Sequence, residues 1–243
     1  MRGDWRNVYI CRQNRIVWEK MTEKSLSFDS LHIHEEDVFR RMGYDAVSPP
    51  AAVAELTATM LNRLSGVASP CFGYVTAYGS LGANTLEVGD VTLHVGKTIA
   101  RQLHGAEAFA FFVATAGREV EALQKQHFAE GDMLGSYIAD AIGSVMAEHC
   151  ADQMEYLLQD NIDKLGWHHT NRFSPGYCQW PVSDQSSLFR LLGDDTCGVT
   201  LNAQYVMSPL KTVSGVIGLG TEVRRLDYAC ALCKMPQCKL RKR

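Results

Sequence analysis

Two stretches of this chain hold residue types whose spacing can do chemistry. The first is Arg172-Phe173-Ser174-Pro175-Gly176-Tyr177. Arginine offers a planar fork that matches a carboxylate, proline fixes φ, and glycine has no Cβ to block an adjacent ligand. Tyrosine adds a flat ring with a polar tip, so the loop can bind a zwitterionic ligand through backbone and side chains. From the residues alone, an ordinary turn carrying a surface arginine is the competing account. The second stretch is Cys230-x-x-Cys233-x-x-x-x-Cys238 near the C-terminus. Cysteines two residues apart can grip one soft metal with a third in reach, so zinc or an iron-sulfur cluster is chemically reasonable, as are redox-active or disulfide-prone thiols. A complete cysteine site wants four ligands, and the fourth would come from a distant residue, a partner or a bound substrate. The spacing differs from Cys-x-x-x-Cys-x-x-Cys, which excludes radical S-adenosylmethionine chemistry.

The elements that must position these residues are readable from periodicity. Residues 35–41 followed by Gly43 read as a short helix, and Pro49 and Pro50 open another through about Leu64, with Val53, Leu56, Met60, Leu61 and Leu64 at helical spacing. Residues 72–95 mix β-branched and aromatic residues with glycines and read as short strands joined by turns. A helix at 97–104, a buried strand at 108–115 and a helix after Gly117 come next. The strongest signal is a long helix from Leu134 to about Leu158, whose apolar face repeats at three-and-four spacing. Gly135, Ala139, Gly143 and Ala147 form a line of small residues along which a neighbour can approach closely. Asp140, Ser144, Glu148 and Asp152 form a polar line beside it, expected to face solvent. Residues 166–184 are irregular, the usual setting for a functional loop, and Trp167-His168-His169 within them reads as a solvated histidine pair. A helix at 186–192 and strands at 198–203 and 213–219 complete the pattern. The expected fold class is α+β, an antiparallel β-sheet with flanking helices. The expected divisions are an N-terminal extension at 1–28, a domain at 29–225 and a basic Cys-rich tail at 226–243.

Composition narrows the function classes. The chain has 243 residues, 46% of them hydrophobic, and a net charge of −3. It is neither disordered nor fibrous, and no apolar run is long enough to span a membrane. The N-terminus lacks the pattern of a secretory signal, so a cytoplasmic protein with reduced thiols is expected, including the scattered Cys11, Cys71, Cys150, Cys178 and Cys197. Residues 224–243 carry a net charge of +6 and the remainder −9. An acidic body without interleaved aromatic and basic residues speaks against a nucleic-acid binder. An ordinary methyltransferase fold would need a glycine-rich loop after its first strand, whereas Gly218-Leu219-Gly220 lies near the chain's end.

The loop at 172–177 resembles the Arg-x-x-Pro-Gly-Tyr loop of the activation domain of cobalamin-dependent methionine synthase. The order of the next elements is similar too: Leu191-Leu192 ending a helix, the Thr196-Cys197-Gly198 turn, and Met207-Ser208-Pro209 leading to Val213-Ser214-Gly215. The resemblance implies an accessory protein in the free-standing form, not catalytic alone, that binds S-adenosylmethionine and docks on a cobalamin-loaded methionine synthase or other corrinoid protein. There it would support reductive methylation of oxidised cobalt, with one electron from a flavodoxin- or ferredoxin-type donor. It further implies that Arg172 pairs with the methionine carboxylate, and that Ser174, Pro175, Gly176 and Tyr177 contact the ligand. The family's acidic positions fall at Ser144 and Gly166 here, and Asp140, one turn before Ser144, is the expected substitute. An alternative is a metal- or Fe-S-containing reductive activator, with Cys230, Cys233 and Cys238 as ligands. A DNA, RNA or membrane partner is not expected.

Overall fold

The computed structural model describes residues 21–44, 47–193 and 196–226. Its centre is a five-stranded sheet in the order β1-β2-β6-β10-β7, formed by β1 (Thr22–Ser25), β2 (Cys71–Ala77), β6 (Ala108–Thr115), β10 (Thr212–Gly220) and β7 (His168–His169). All pairings are antiparallel, and the mixed helix and antiparallel sheet agree with the expected α+β class. The apolar run of β6 is explained by its central position. Ala108, Ala110, Phe112 and Ala114 enter one core while Phe109, Phe111 and Val113 enter the other, so neither face of this strand meets water.

The first core is closed by α1 (Glu35–Met42), α2 (Ala51–Ser65), α4 (Glu119–Ala129) and the 30-residue α5 (Met133–Ile162). The second is closed by α3 (Gly96–Gln102), α6 (Gln185–Leu192) and a small sheet of β3 (Ser80–Leu81), β4 (Leu86–Val88) and β5 (Val91–Leu93). A hairpin of β8 (Thr200–Leu201) and β9 (Met207–Ser208) precedes β10.

Alpha5 carries its apolar stripe into the first core, with Ile138, Ile142, Met146, Cys150 and Met154 fully buried. The small-residue line does what its spacing suggested. A Cβ on Gly143 would lie 2.7 Å from Lys211 Cγ and 3.1 Å from Val120 Cγ2, so α4 and the segment before β10 both press against that part of the helix. Thr22–Ser25, within the stretch expected to be an extension, instead adds the edge strand β1 to the main sheet. Its sequence, TEKS, has no apolar alternation, and its pairing is dictated by the open edge of β2. Among the described residues no helix is long and apolar enough to cross a membrane.

Candidate functional site

Beta10 is covered unevenly on its outer edge. Beta7 pairs only at Leu219 and Gly220. Further along, Phe173 of the irregular loop exchanges two backbone hydrogen bonds with Val216, at 3.0 and 2.8 Å. Beyond that point Thr212, Val213 and Ser214 line a cavity of about 700 Å³. The fold thus leaves a stretch of strand edge open and sets the loop 171–178 as the opposite wall.

Several local features hold that loop. Gly215 has no side chain where the loop crosses β10: a Cβ there would sit 2.0 Å from the Phe173 carbonyl oxygen. The Gly176 N–H donates to the Trp180 carbonyl (2.8 Å), and the Trp180 N–H donates to the Tyr177 carbonyl (2.9 Å). Gly176 takes φ +92°, the left-handed region that favours glycine. Trp180 is fully buried and donates through Nε1 to Asp184 (3.1 Å), whose carboxylate also accepts from the His94 N–H. Anchored in this way, Tyr177 stands at the rim with 64% of its surface exposed.

Of the residues expected to contact a ligand, Arg172, Ser174, Pro175 and Tyr177 line the cavity. Gly176 is absent from the wall and acts through its backbone conformation. Arg172 is engaged within the protein: Nη1 meets Asp152 at 2.8 Å and Glu155 at 3.4 Å, and Nη2 meets Glu148 at 3.1 Å. Burial pulls its pKa down, and Glu155, Asp152 and Glu148 more than offset this, so the guanidinium is held even more firmly protonated.

The polar line on α5 is therefore not simply a solvated face. Its C-terminal half receives Arg172, and its N-terminal half receives Lys211, whose Nζ lies 2.7 Å from Asp140 and 3.0 Å from Ser144. Asp140, the expected acidic substitute, does not line the cavity. It is bound by Lys211 and by Gln124 (3.1 Å), and eight helical residues place it about 12 Å along the axis from Glu148. The acidic groups that do line the cavity are Glu148 and Glu155.

Glu155 escaped the sequence reading although it lies seven residues after Glu148 and three after Asp152, on the same helical face. Its side chain is 4% exposed, between Arg172 and Arg225, with Oε2 at 3.4 and 3.3 Å from their Nη1 atoms. That oxygen has no hydrogen-bond partner among the described residues. Burial raises its pKa above the usual carboxylate range, against the pull of both arginines. The rest of the wall includes Gln185, which donates to Ser214 Oγ, and the hairpin residues Tyr205, Val206 and Met207.

The histidine pair is only half solvated: His168 is exposed in β7, while His169 is buried with Nδ1 2.7 Å from the Thr170 carbonyl. Leu226 is fastened to Asn171 by two 2.9 Å hydrogen bonds and also lines the cavity. Cys230, Cys233 and Cys238 lie outside the described residues.

Comparison with known proteins converges on one family. Residues 95–242 match the family model described as vitamin B12 dependent methionine synthase, activation domain. No curated protein matches the chain. Among solved structures, the MetH reactivation domain bound to AdoHcy is similar, with a TM-score of 0.61 at 16% identity over 82% of this chain and 78% of that one.

Proposed function

The chain belongs to the family of vitamin B12 dependent methionine synthase activation domains, and from that premise we propose that it binds S-adenosylmethionine in the cavity beside Arg172 and presents the methyl to a cobalamin-loaded partner. The observation that carries this reading is the cavity of about 700 Å³ between the loop 171–178 and the open edge of β10. Its size lies within the range of small-molecule sites, and the structurally similar MetH reactivation domain was crystallised with AdoHcy.

The residues present fit such a ligand. Glu155 offers a buried acceptor oxygen that has no hydrogen-bond partner among the described residues and only ion-pair contacts to Arg172 and Arg225 at 3.4 and 3.3 Å, suited to an ammonium or a ribose hydroxyl. Ser174 and Gln185 add polar groups, and Phe173, Pro175 and Tyr177 add apolar and aromatic wall. Two arginines and three carboxylates (Arg172, Arg225, Glu148, Asp152 and Glu155) leave a net charge of −1 around the cavity. S-adenosylmethionine, with sulfonium, ammonium and carboxylate, carries +1. A ligand carboxylate gains the Arg172 fork by displacing the exposed Glu148 from Nη2, while Asp152 and the buried Glu155 keep hold of Nη1.

The partner's corrinoid supplies the reduced cobalt that accepts the methyl group. This chain's part is to hold the sulfonium still and oriented, which in favourable cases is worth about 7–11 kcal/mol of a bimolecular barrier. No side chain has to move a proton. The exposed Tyr177, Val182, Tyr205, Val206 and Leu210 surround the cavity mouth and give a partner an apolar rim to dock on. The tail cysteines Cys230, Cys233 and Cys238 begin four residues after Leu226. Placing an Fe-S or zinc centre on them is part of the proposal, tested by iron, zinc and labile-sulfide content of anaerobically purified protein.

Calorimetric titration with S-adenosylmethionine tests the central claim. Tyr177→Ala is the clean variant, because an exposed ring can be removed at little cost to folding. A loss of about tenfold in affinity, roughly 1.4 kcal/mol, is expected for one stacking wall. Absence of saturable binding by the wild type would overturn the reading.

A further inference from the structure

The five scattered cysteines lack any sequence pattern, yet the fold brings two of them together. Cys71 opens β2, paired with Ser25 of β1 and Thr115 of β6. Cys197 lies in the turn after α6, 126 residues later, and the two Sγ atoms are 2.7 Å apart. Neighbouring residues build this meeting. Gly73, two residues along β2, leaves room: a Cβ there would lie 3.1 Å from Met21 Sδ and 3.7 Å from Cys197 Sγ. Cys197 adopts φ +54°, and its N–H donates to the Glu23 carboxylate of β1 at 3.1 Å, which fixes the turn against the sheet edge.

We propose that Cys71 and Cys197 are a thiol-modification site that forms a reversible disulfide, fastening the base of the β8–β9 hairpin to the main sheet. A disulfide has an S–S length of about 2.05 Å, so closure asks for less than about 1 Å of movement. Glu23 and the two thiols are also placed to hold a metal, their ligand atoms all lying within 4.8 Å of one another. Tetrahedral zinc with bonds of about 2.3 Å would, however, keep two sulfurs about 3.8 Å apart, so the separation favours the bond.

The electrons and protons balance with a low-molecular-weight disulfide as oxidant. Cys197 is the more exposed thiol. It attacks one sulfur of the oxidant, giving a mixed disulfide and one released thiol that carries away its proton. Cys71 then attacks Cys197 Sγ and expels the second thiol, so two protein thiols become one disulfide and the oxidant becomes two thiols. In the reduced pair the contact between the two thiols pulls the Cys71 pKa down and pushes that of Cys197 up, so exposure rather than acidity selects Cys197 for the first step. That contact is gone once Cys197 is in the mixed disulfide, and the second step rests on the short Sγ–Sγ approach. Cys150, fully buried, has its thiol pushed up to about 12 by desolvation and stays out of the exchange. The turn leads directly into β8, and the hairpin supplies Tyr205, Val206 and Met207 to the cavity wall, so the bond would tie one wall of the site to the sheet.

The test uses the wild-type chain, purified reduced and exposed to oxidised glutathione. Remaining thiols are alkylated, the protein is digested without reduction, and peptides are mapped by mass spectrometry. The expected result is one cross-linked species joining the Cys71 and Cys197 peptides, lost on treatment with dithiothreitol, with Cys150 alkylated only after unfolding. Cys71 and Cys197 recovered separately alkylated would overturn the proposal. So would one equivalent of zinc that shields both thiols from the oxidant.

Discussion

At the scale of single residues, the strand and the loop are interdependent. Gly215 lies where Phe173 crosses β10, and any Cβ at that point collides with a backbone carbonyl. Gly215→Ala therefore cannot be absorbed by a rotamer change. We expect it to push the loop 171–178 off the strand and abolish ligand binding, at a folding cost of about 1–3 kcal/mol typical of overpacking; a titration matching wild type would show that the loop does not form the site. Glu155 makes a second, pH-dependent prediction. Its folded-state pKa is raised by burial, so the native state binds the proton more tightly than the unfolded chain does. Stability from this group is then present below about pH 4.3 and falls as pH rises from there through the folded pKa. Glu155→Gln removes that titration, so the wild-type advantage in Tm should shrink between pH 4.5 and 7; an advantage that grows with pH would mean the arginine pairs outweigh desolvation. Arg172 and Tyr177 drew attention by their types and spacing, which an ordinary turn would also explain, and the resemblance is what weighted them towards a ligand. Glu155 drew none, because nothing in a helix reveals that arginines 17 and 70 residues downstream return to it.

At the scale of elements, periodicity carried most of the reading. Alpha5 and β6 were found because their burial is repetitive: a three-and-four stripe on one and an unbroken apolar run on the other. Beta1 had no such signal, since four polar-leaning residues at a sheet edge need only backbone pairing. The polar line on α5 reads as a solvated face for a related reason, as a charged stripe looks the same whether water or a distant Lys211 and Arg172 meets it. The small-residue line was decisive in the other direction, and it can be tested. Gly143→Ala gains about 0.5–1 kcal/mol of helix propensity. Against this, the new Cβ meets Lys211 Cγ at 2.7 Å and Val120 Cγ2 at 3.1 Å, and such crowding costs about 1–3 kcal/mol. The packing term wins, so a lower denaturation midpoint is expected by circular dichroism; a more stable variant would show that the approach of α4 and Lys211 is looser than the geometry indicates.

At the scale of the whole molecule, charge and site agree in sign. The chain as a whole is net −3, and the five charged side chains around the cavity sum to −1. A cationic sulfonium is thus favoured by the carboxylates around it, whereas S-adenosylhomocysteine lacks both the methyl group and the extra positive charge. Long-range attraction between exposed charges fades beyond a Debye length of about 10 Å at 0.1 M salt and about 3 Å at 1 M. Raising salt from low to near-molar concentration should therefore weaken S-adenosylmethionine by about two- to fivefold, close to 1 kcal/mol at most, and leave S-adenosylhomocysteine nearly unchanged. Parallel titrations of the two ligands at several ionic strengths measure the difference directly, and any contribution common to both, such as a salt-induced change in the loop, cancels in the ratio. Equal salt dependence would mean that the acidic surround does not recognise the sulfonium charge, and discrimination between methyl donor and spent product would then have to come from contact with the methyl group alone.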